Sequence, residues 1–365
     1  MNSESNETTR VNDPANWESQ SDIRRAGTLD ERLHYDRAAH ERALERIFAR
    51  SWQLLPIPTS EHRVEPLTLL EGGLDEPLVM TRTDEGERLL SNVCTHRGAL
   101  LAEACGDAAG LRCRYHGRRF GLDGTMTTCP GFEDALEFPR PTENLARLPL
   151  EQIGPLRFTS INAAIPFEEW SAPLRRTLAE YDGETFAFDP GASRVFEIEA
   201  SWALYCENYL EGFHIPFVHP GLNQGLDFSR YTTEIEPYAV RQLGVASDDD
   251  ETRLVSRASE DVVADYLWLY PNLMVNAYAW GISVNLIEPT GAGRCRVRYM
   301  RWVARPEFVG QGVGGALDEV EIEDQEVVLS VQKGVRSRLY PGGRFAPKLE
   351  TGPHHFQRLM SADLK

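Results

Sequence analysis

The chain lacks any hydrophobic run near the ~20 residues that a membrane-spanning helix needs. Residues 1–27 are polar and charged, with no apolar stretch of the signal-peptide kind. These absences predict a soluble, cytoplasmic protein with no membrane partner. Positive charge is also scarce: 38 lysines and arginines stand against 56 aspartates and glutamates, for a formal charge of −18. Such a surface repels nucleic acid as well as anionic lipid, so no nucleic-acid partner is expected. Cysteine is sparse and irregularly spaced, with six in 365 residues. A disulfide framework is therefore not expected, and metal ligation is the first use to consider. No internal repeat is visible, and the length suits two domains or one large one.

Along the chain, residues 1–27 read as disordered or loosely attached. Residues 35–52 show helical spacing, with Ala39, Ala43, Leu44, Ile47 and Phe48 on one side. From 53 to 150, short apolar runs are broken by turn signals such as Gly72-Gly73 and Gly121-Leu122-Asp123-Gly124, which predicts a small antiparallel β domain. Helical segments are expected over 167–181 and 202–213, with Pro216 and Pro220 interrupting the second. Strand patterns return over 265–270, 273–287 and 294–304. A last long helix is expected over 316–336, and residues 248–251 read as a solvated acidic loop.

Two cysteine and histidine pairs lie in the β-type region. Cys94-Thr95-His96 is followed, after sixteen residues, by Cys113-Arg114-Tyr115-His116. In a chain of this composition either pair arises by chance only about 0.15 times. Two thiolates and two neutral imidazoles are what a Rieske 2Fe-2S cluster requires, the thiolates on one iron and the imidazoles on the other. Each segment supplies one of each, and Gly98 and Gly117 allow the backbone to approach the sulfides closely. A structural zinc site is the alternative, although zinc sets usually run Cys-Cys then His-His.

A second group lies at Glu211, His214 and His219, spaced Glu-x-x-His-x-x-x-x-His. Two histidines near a carboxylate suit a 2-His-1-carboxylate iron site, and ordinary hydrogen-bonded side chains are the alternative. On an unbroken helix His219 would point well away from His214, and Pro216 is expected to break the helix and release it. Over 316–336, an apolar stripe of Leu317, Val320, Val327, Val328 and Val331 has Asp324 at its centre, while Asp318, Glu319, Glu323 and Glu326 fall outside. Glu321, at the margin, is the nearest rival. A carboxylate on a buried face needs a metal or an ion-pair partner.

These motifs resemble those of the Rieske non-heme iron oxygenases, the ring-hydroxylating-type alpha subunits, over nearly the whole chain. The family's second loop commonly reads Cys-Pro-Tyr-His-Gly-Trp before a Leu-Asp-Gly turn. Here Arg114 and Arg118 replace the proline and tryptophan, and Leu122-Asp123-Gly124 follows. The resemblance implies an α+β fold in three parts: residues 1–48 as an N-terminal segment and helix on the catalytic domain, 49–150 as an all-β Rieske domain, and 151–365 as a catalytic domain. In the last, helices cover an antiparallel sheet in a helix-grip-like arrangement. It implies Cys94, His96, Cys113 and His116 as ligands of the 2Fe-2S cluster, and His214, His219 and Asp324 as ligands of a mononuclear Fe(II). Glu211, usually aspartate in the family, is implied as the acid that relays electrons from a cluster histidine of a neighbouring subunit to iron. A homotrimer is implied with it, as is a separate NAD(P)H-dependent flavin/iron-sulfur reductase or ferredoxin as the electron donor.

For the substrate pocket, Tyr205, Glu207, Phe213, Tyr270, Tyr278 and Trp280 are the expected residues, with Phe217 and Trp268 nearby. Tyr278 and Trp280 are placed on one strand face. Aromatic walls favour a trimethylammonium group through cation–π attraction, and segments such as 208–216 resemble the choline monooxygenase-like branch. The expected activity is O2-dependent monooxygenation of a small quaternary ammonium compound. Hydroxylation of an aromatic compound is the alternative, and a Rieske electron carrier without chemistry of its own is the less favoured one.

Overall fold

A computed structural model describes residues 17–56, 61–246, 252–254, 261–314 and 317–365. The acidic stretch 248–251 lies outside the described residues. The chain divides into two compact units. One combines the N-terminal part up to Ser51, Ile153–Pro155 and Ala163–Lys365, and the other combines Trp52–Gln152 and Leu156–Asn162.

In the larger unit, Asp36 caps helix α1 (Arg37–Arg46), which buries Ala39, Ala43 and Leu44, and a single 3-10 turn follows at Phe48–Arg50. The expectation of a loosely attached start is corrected for 17–27. Trp17 and Ala26 are buried, and the Ser19 amide donates to Ser361 Oγ at 3.1 Å.

The smaller unit is built of short antiparallel strands. Strand β1 (Gln53–Leu54) begins it, and β2 (Val64–Leu69), β3 (Glu76–Thr83) and β4 (Gly86–Ser91) form a meander. A three-stranded sheet follows from β5 (Leu111–Arg112), β6 (Arg119–Phe120) and β7 (Met126–Thr128); β8 (Arg147–Leu148) pairs with β4. Strands β9 (Glu151–Ile153) and β10 (Leu156–Thr159) complete the order β1-β10-β9. The core between the sheets contains Val64, Val79, Leu90, Leu111, Phe120 and Leu145, together with Cys94 and Cys113.

The remainder of the larger unit is one antiparallel sheet with helices. Helix α2 (Phe167–Leu178) leads, followed by β11 (Ala187–Phe188), β12 (Arg194–Ile198), α3 (Trp202–Tyr209), α4 (Ile215–Val218) and α5 (Pro220–Gly225). Strands β13 (Thr232–Glu236), β14 (Ala239–Val245), β15 (Val262–Leu269), β16 (Leu273–Tyr278), β17 (Gly281–Gly291) and β18 (Arg294–Val303) then come in turn. They pair in the order β11-β18-β17-β16-β15-β14-β13, with β12 also on β18. Every residue of β14, β15 and β16 is buried, as expected of strands covered on both faces. On one face Asp265 meets Thr177 of α2 at 3.1 Å; the neighbouring residue, Tyr266, faces the other side by strand alternation. The run expected as one strand over 273–287 is two, split by the turn at Ala279 and Trp280.

Helices α6 (Leu317–Gly334) and α7 (Thr351–Leu364) close the unit. The α6 helix was expected to be the last, and α7 corrects this: its Gly352 and Pro353 lie in the first turn, where the missing amide hydrogen of proline costs nothing. Phe356 of α7 packs edge-on against Trp202 at 5.7 Å and Trp268 at 5.3 Å. Among the described residues, no helix is long and apolar enough to cross a membrane.

Candidate metal centres and substrate cavity

In the smaller unit, Cys94-to-Gly98 and Cys113-to-Gly117 form two loops with the same backbone frame. The Cys94 carbonyl accepts from Gly98 N at 3.0 Å and that of Cys113 from Gly117 N at 3.1 Å. Each cysteine amide in turn donates to the carbonyl five residues on, Ala99 or Arg118. Both glycines adopt positive φ, 74° and 75°, a conformation that disfavours other residues. The frame buries both thiols in the core, each 2% exposed. His96 and His116 project outward with ring centres 4.8 Å apart. Two converging thiols and two imidazoles fit a Rieske cluster by the chemistry of the donor set.

Arg118, at the usual tryptophan position, is 2% exposed. It donates to Thr95 Oγ1 at 2.7 Å and Glu143 Oε2 at 2.9 Å, and lies over the rings of Phe132 and Phe138. A guanidinium clasped by aromatic faces and a carboxylate thus fills this buried position. Arg114 is a surface residue paired with Glu103 at 3.1 Å.

In the larger unit, His214, His219 and Asp324 converge, their ligand atoms all within 4.8 Å of one another. The route differs from expectation. Helix α3 ends at Tyr209, before any proline, and Pro216 lies in the first turn of the separate helix α4. The reversal of direction thus comes from the segment between the helices, and Pro216 starts a helix instead of breaking one. His219 follows α4 and is 1% exposed. Its Nε2 lies 3.1 Å from Asp324 Oδ1, and the His214 Nε2 lies 3.5 Å from the same oxygen.

Each imidazole is held from behind by a carboxylate. His214 Nδ1 contacts Glu211 Oε1 at 2.8 Å, and His219 Nδ1 contacts Glu323 Oε2 at 2.7 Å. With the Nδ1 proton donated to these acceptors, both Nε2 lone pairs turn toward Asp324, the outer hydrogen bonding that orients a ligating histidine. Burial lowers the proton affinity of His219, but Asp324 and Glu323 outweigh it and leave its pKa raised. An electrostatic setting that retains a proton on this imidazole also favours a bound cation. The donor set fits a 2-His-1-carboxylate iron site with open coordination positions. Asn208 Nδ2 also donates to Asp324 Oδ1, at 2.6 Å.

The buried stripe of α6 is displaced from the expected one. It runs through Glu321, Val328 and Gln332, while Val331 is 42% exposed; the side chains of Leu317, Asp318 and Glu319 lie outside the described residues. Glu321, the rival at the margin, is therefore inward together with Asp324. Glu323, placed outside the stripe, is the carboxylate behind His219. Its contact crosses from α6 to the end of α4, which helical periodicity does not report.

A cavity of about 80 Å³ opens on the triad. Five tyrosines line it: Tyr209, Tyr231, Tyr266, Tyr278 and Tyr299. Gln242, Asn276, Asn285 and Glu321 add polar edges. Of the expected pocket residues, Tyr278 is in the lining and the others lie outside it. Trp280 stacks behind Tyr278 at 5.4 Å, and the Tyr270 hydroxyl donates to Asp363 at 2.8 Å. Tyr205 donates to Glu321 at 2.7 Å. Glu207 accepts from Gln357 on α7 at 2.8 Å, where burial pushes its carboxyl up to about 7. Phe213 and Phe217 are 39% and 79% exposed, and Trp268 belongs to the aromatic core with Phe356. Of the missed lining residues, Gln242, Tyr266, Asn276, Asn285 and Tyr299 lie on β14 to β18, where long buried runs hide which face each side chain takes, while Tyr209 ends α3 and Tyr231 precedes β13; counting alternate positions from Tyr278 would have reached Asn276.

Residues 67–140 match the Rieske 2Fe-2S domain, and residues 186–364 match the ring hydroxylating alpha subunit (catalytic domain). Among curated proteins, the chain is 28% identical to a chloroplastic choline monooxygenase from Arabidopsis thaliana, over 94% of this chain and 84% of that protein. It is 26% identical to the oxygenase subunit of carnitine monooxygenase from Escherichia coli (strain K12), over 93% and 94%. Its fold is similar to a crystal structure of a quaternary ammonium Rieske monooxygenase in complex with L-carnitine. The TM-score is 0.71 with 21% identity, covering 97% of this chain and 99% of the other.

Proposed function

We propose, from the premise that the chain is a Rieske-type non-heme iron oxygenase, that it is the terminal oxygenase of a system that monooxygenates a small quaternary ammonium compound. The observation that carries the substrate class is the tyrosine-lined cavity on the triad. Aromatic faces attract a trimethylammonium group by their quadrupoles, and a desolvated cation over such a ring gains roughly 2 kcal/mol. The relatives named for choline and carnitine support the same class.

When bound, the 2Fe-2S cluster supplies electrons one at a time and ferrous iron supplies the open coordination positions at which dioxygen is activated. His214, His219 and Asp324 would hold the iron, while Glu211 and Glu323 fix the two imidazoles in the tautomer that presents Nε2. The tyrosines exclude water and orient the cation. Glu211 also accepts from the His214 backbone amide at 3.1 Å, which anchors the carboxylate at its post. In this reading Glu211 receives a cluster histidine, His96 or His116, from a neighbouring copy within a cyclic homotrimer. A separate NAD(P)H-dependent reductase feeds the cluster in the cytoplasm.

The test is a screen of choline, betaines, carnitine and simple aromatics with a surrogate reductase, scoring oxygen uptake together with hydroxylated product. Turnover of aromatics alone would refute the substrate class. For the relay, Glu211→Gln is expected to retain mononuclear iron and lower turnover about 10- to 100-fold; unchanged turnover would remove Glu211 from the path.

A further inference from the structure

The row Gln242, Tyr266 and Asn276 crosses β14, β15 and β16 as directly paired residues, and all three line the cavity. Residues opposite each other in an antiparallel pair share one face of the sheet, so the Gln242 side chain stands on the cavity face. Asn276 is satisfied at both ends: its Oδ1 accepts from the Tyr209 hydroxyl at 2.6 Å and its Nδ2 donates to Ser283 Oγ at 3.0 Å. Gln242 is satisfied at its donor end. It is 2% exposed, its Nε2 donates to the Tyr209 carbonyl at 2.7 Å, and its Oε1 has no hydrogen-bond partner among the described residues. The amide cannot turn over, because a backbone carbonyl only accepts and a reversed amide would set two oxygens against each other. Asn285 repeats the pattern less firmly. Its Nδ2 donates to Glu321 Oε1 at 2.5 Å and its Oδ1 has no partner among the described residues, but a carboxyl group accepts or donates, so that amide is able to present either end. Gln242 Oε1 is thus a committed acceptor, and a buried acceptor without a partner is unfavourable until a donor reaches it.

We infer that Gln242 is a specificity residue whose Oε1 accepts a hydrogen bond from the substrate, so that the cavity selects a quaternary ammonium compound with a hydroxyl over one without a donor. This rests on the proposed substrate class and names a second group that the substrate must carry. A quaternary nitrogen has no hydrogen to donate, and a carboxylate only accepts, so within this class the donor is a hydroxyl. The tyrosine faces hold the ammonium group, and Gln242 fixes the orientation of the remainder. A site built to bond a hydroxyl rejects the analogue that lacks it, because its own polar atom is then left unpaired. Against an apolar wall the deoxy analogue would bind at least as well, since it has no hydroxyl to desolvate.

The test is calorimetric binding, to iron-loaded holoenzyme, of two pairs that differ only in the hydroxyl: choline with ethyltrimethylammonium, and carnitine with its deoxy analogue γ-butyrobetaine. In the more tightly bound pair, wild type is expected to favour the hydroxylated member about tenfold, the scale of one hydrogen bond to a buried acceptor. Gln242→Met keeps the length of the side chain and removes the acceptor. It should erase the preference by weakening the hydroxylated member and leaving its deoxy partner unchanged. Iron content and the visible spectrum of the cluster report that the variant has folded, and Gln242→Leu, with the same expected outcome, serves as a second variant. Equal weakening of both members, or a preference that survives in the variants, overturns the role of Gln242. Equal binding within both pairs by wild type overturns the inference without any variant. If wild type binds none of the four and oxidises an aromatic, the underlying substrate class has failed as well. Ammonium compounds bound without regard to the hydroxyl overturn this inference alone.

Discussion

The two metal sites are assembled in opposite ways. All four cluster residues lie between positions 94 and 116, on two loops whose backbone frames repeat each other down to the positive φ of Gly98 and Gly117. The iron residues lie between 214 and 324, and they meet because α6 packs across α3 and α4. Asn208 and Tyr205 reach Asp324 and Glu321, and the Ser201 amide donates to Gln332. A locally framed site depends on a short stretch of chain folding correctly. A distributed site depends on packing, so its chemistry and the stability of its helices are coupled.

The largest expected effect separates the sites outright. His214→Ala should abolish turnover, by at least about a thousandfold if chemistry fails without the metal, and reduce iron from about three to about two per chain while leaving the visible spectrum of the cluster intact. Retained turnover would refute the mononuclear site, and a bleached cluster would refute the independence of the two.

Next comes the clasp beside the cluster. Arg118→Met removes the buried guanidinium from Glu143 and leaves it only the more exposed Arg140 at 3.3 Å, so the cost is expected to stay below the roughly 3–5 kcal/mol of a fully orphaned buried charge. Urea titration followed by cluster bleaching should show the loss, with Arg118→Met/Glu143→Gln restoring part of it. A midpoint unchanged by Arg118→Met would mean that the pair does not support the loops.

The smallest effect is a pH dependence in the catalytic unit. Half-buried Glu207 has its carboxyl pushed up from 4.5 to about 7. The unfolded chain releases this proton near 4.5 while the folded chain keeps it to about 7, so this group lowers stability as pH rises through that window. Glu207→Gln should flatten the slope and stabilise the protein above pH 7 by about 1–2 kcal/mol. An unaltered pH profile from denaturation would show that the carboxyl titrates normally.

Legibility followed the same division. The cluster motif could be read because ligand identity, spacing and the two glycines all lie in one local frame. The Glu211, His214, His219 group could also be read, although the break credited to Pro216 proved to be the end of α3 at Tyr209. Asp324 was reached through helical periodicity, which gave the right residue from a displaced stripe: Val331 is exposed and Glu321 buried. The aromatic pocket was the least legible part. Tyr270, Trp268 and Trp280 are aromatic for reasons of core packing, and composition does not distinguish a core ring from a cavity ring.

What the sequence determined by itself is the inventory of metal donors and the order of most of its elements up to α6, because thiolate and imidazole spacing and hydrophobic period are properties of neighbouring residues. What the tertiary structure alone decided is which carboxylates do which work. Glu211 and Glu323 support imidazoles, Asp324 joins them, Glu321 faces the cavity and Glu207 faces α7. Five chemically similar acids are told apart only by what the fold packs against each one, since burial and hydrogen-bond partners set the role of a carboxylate.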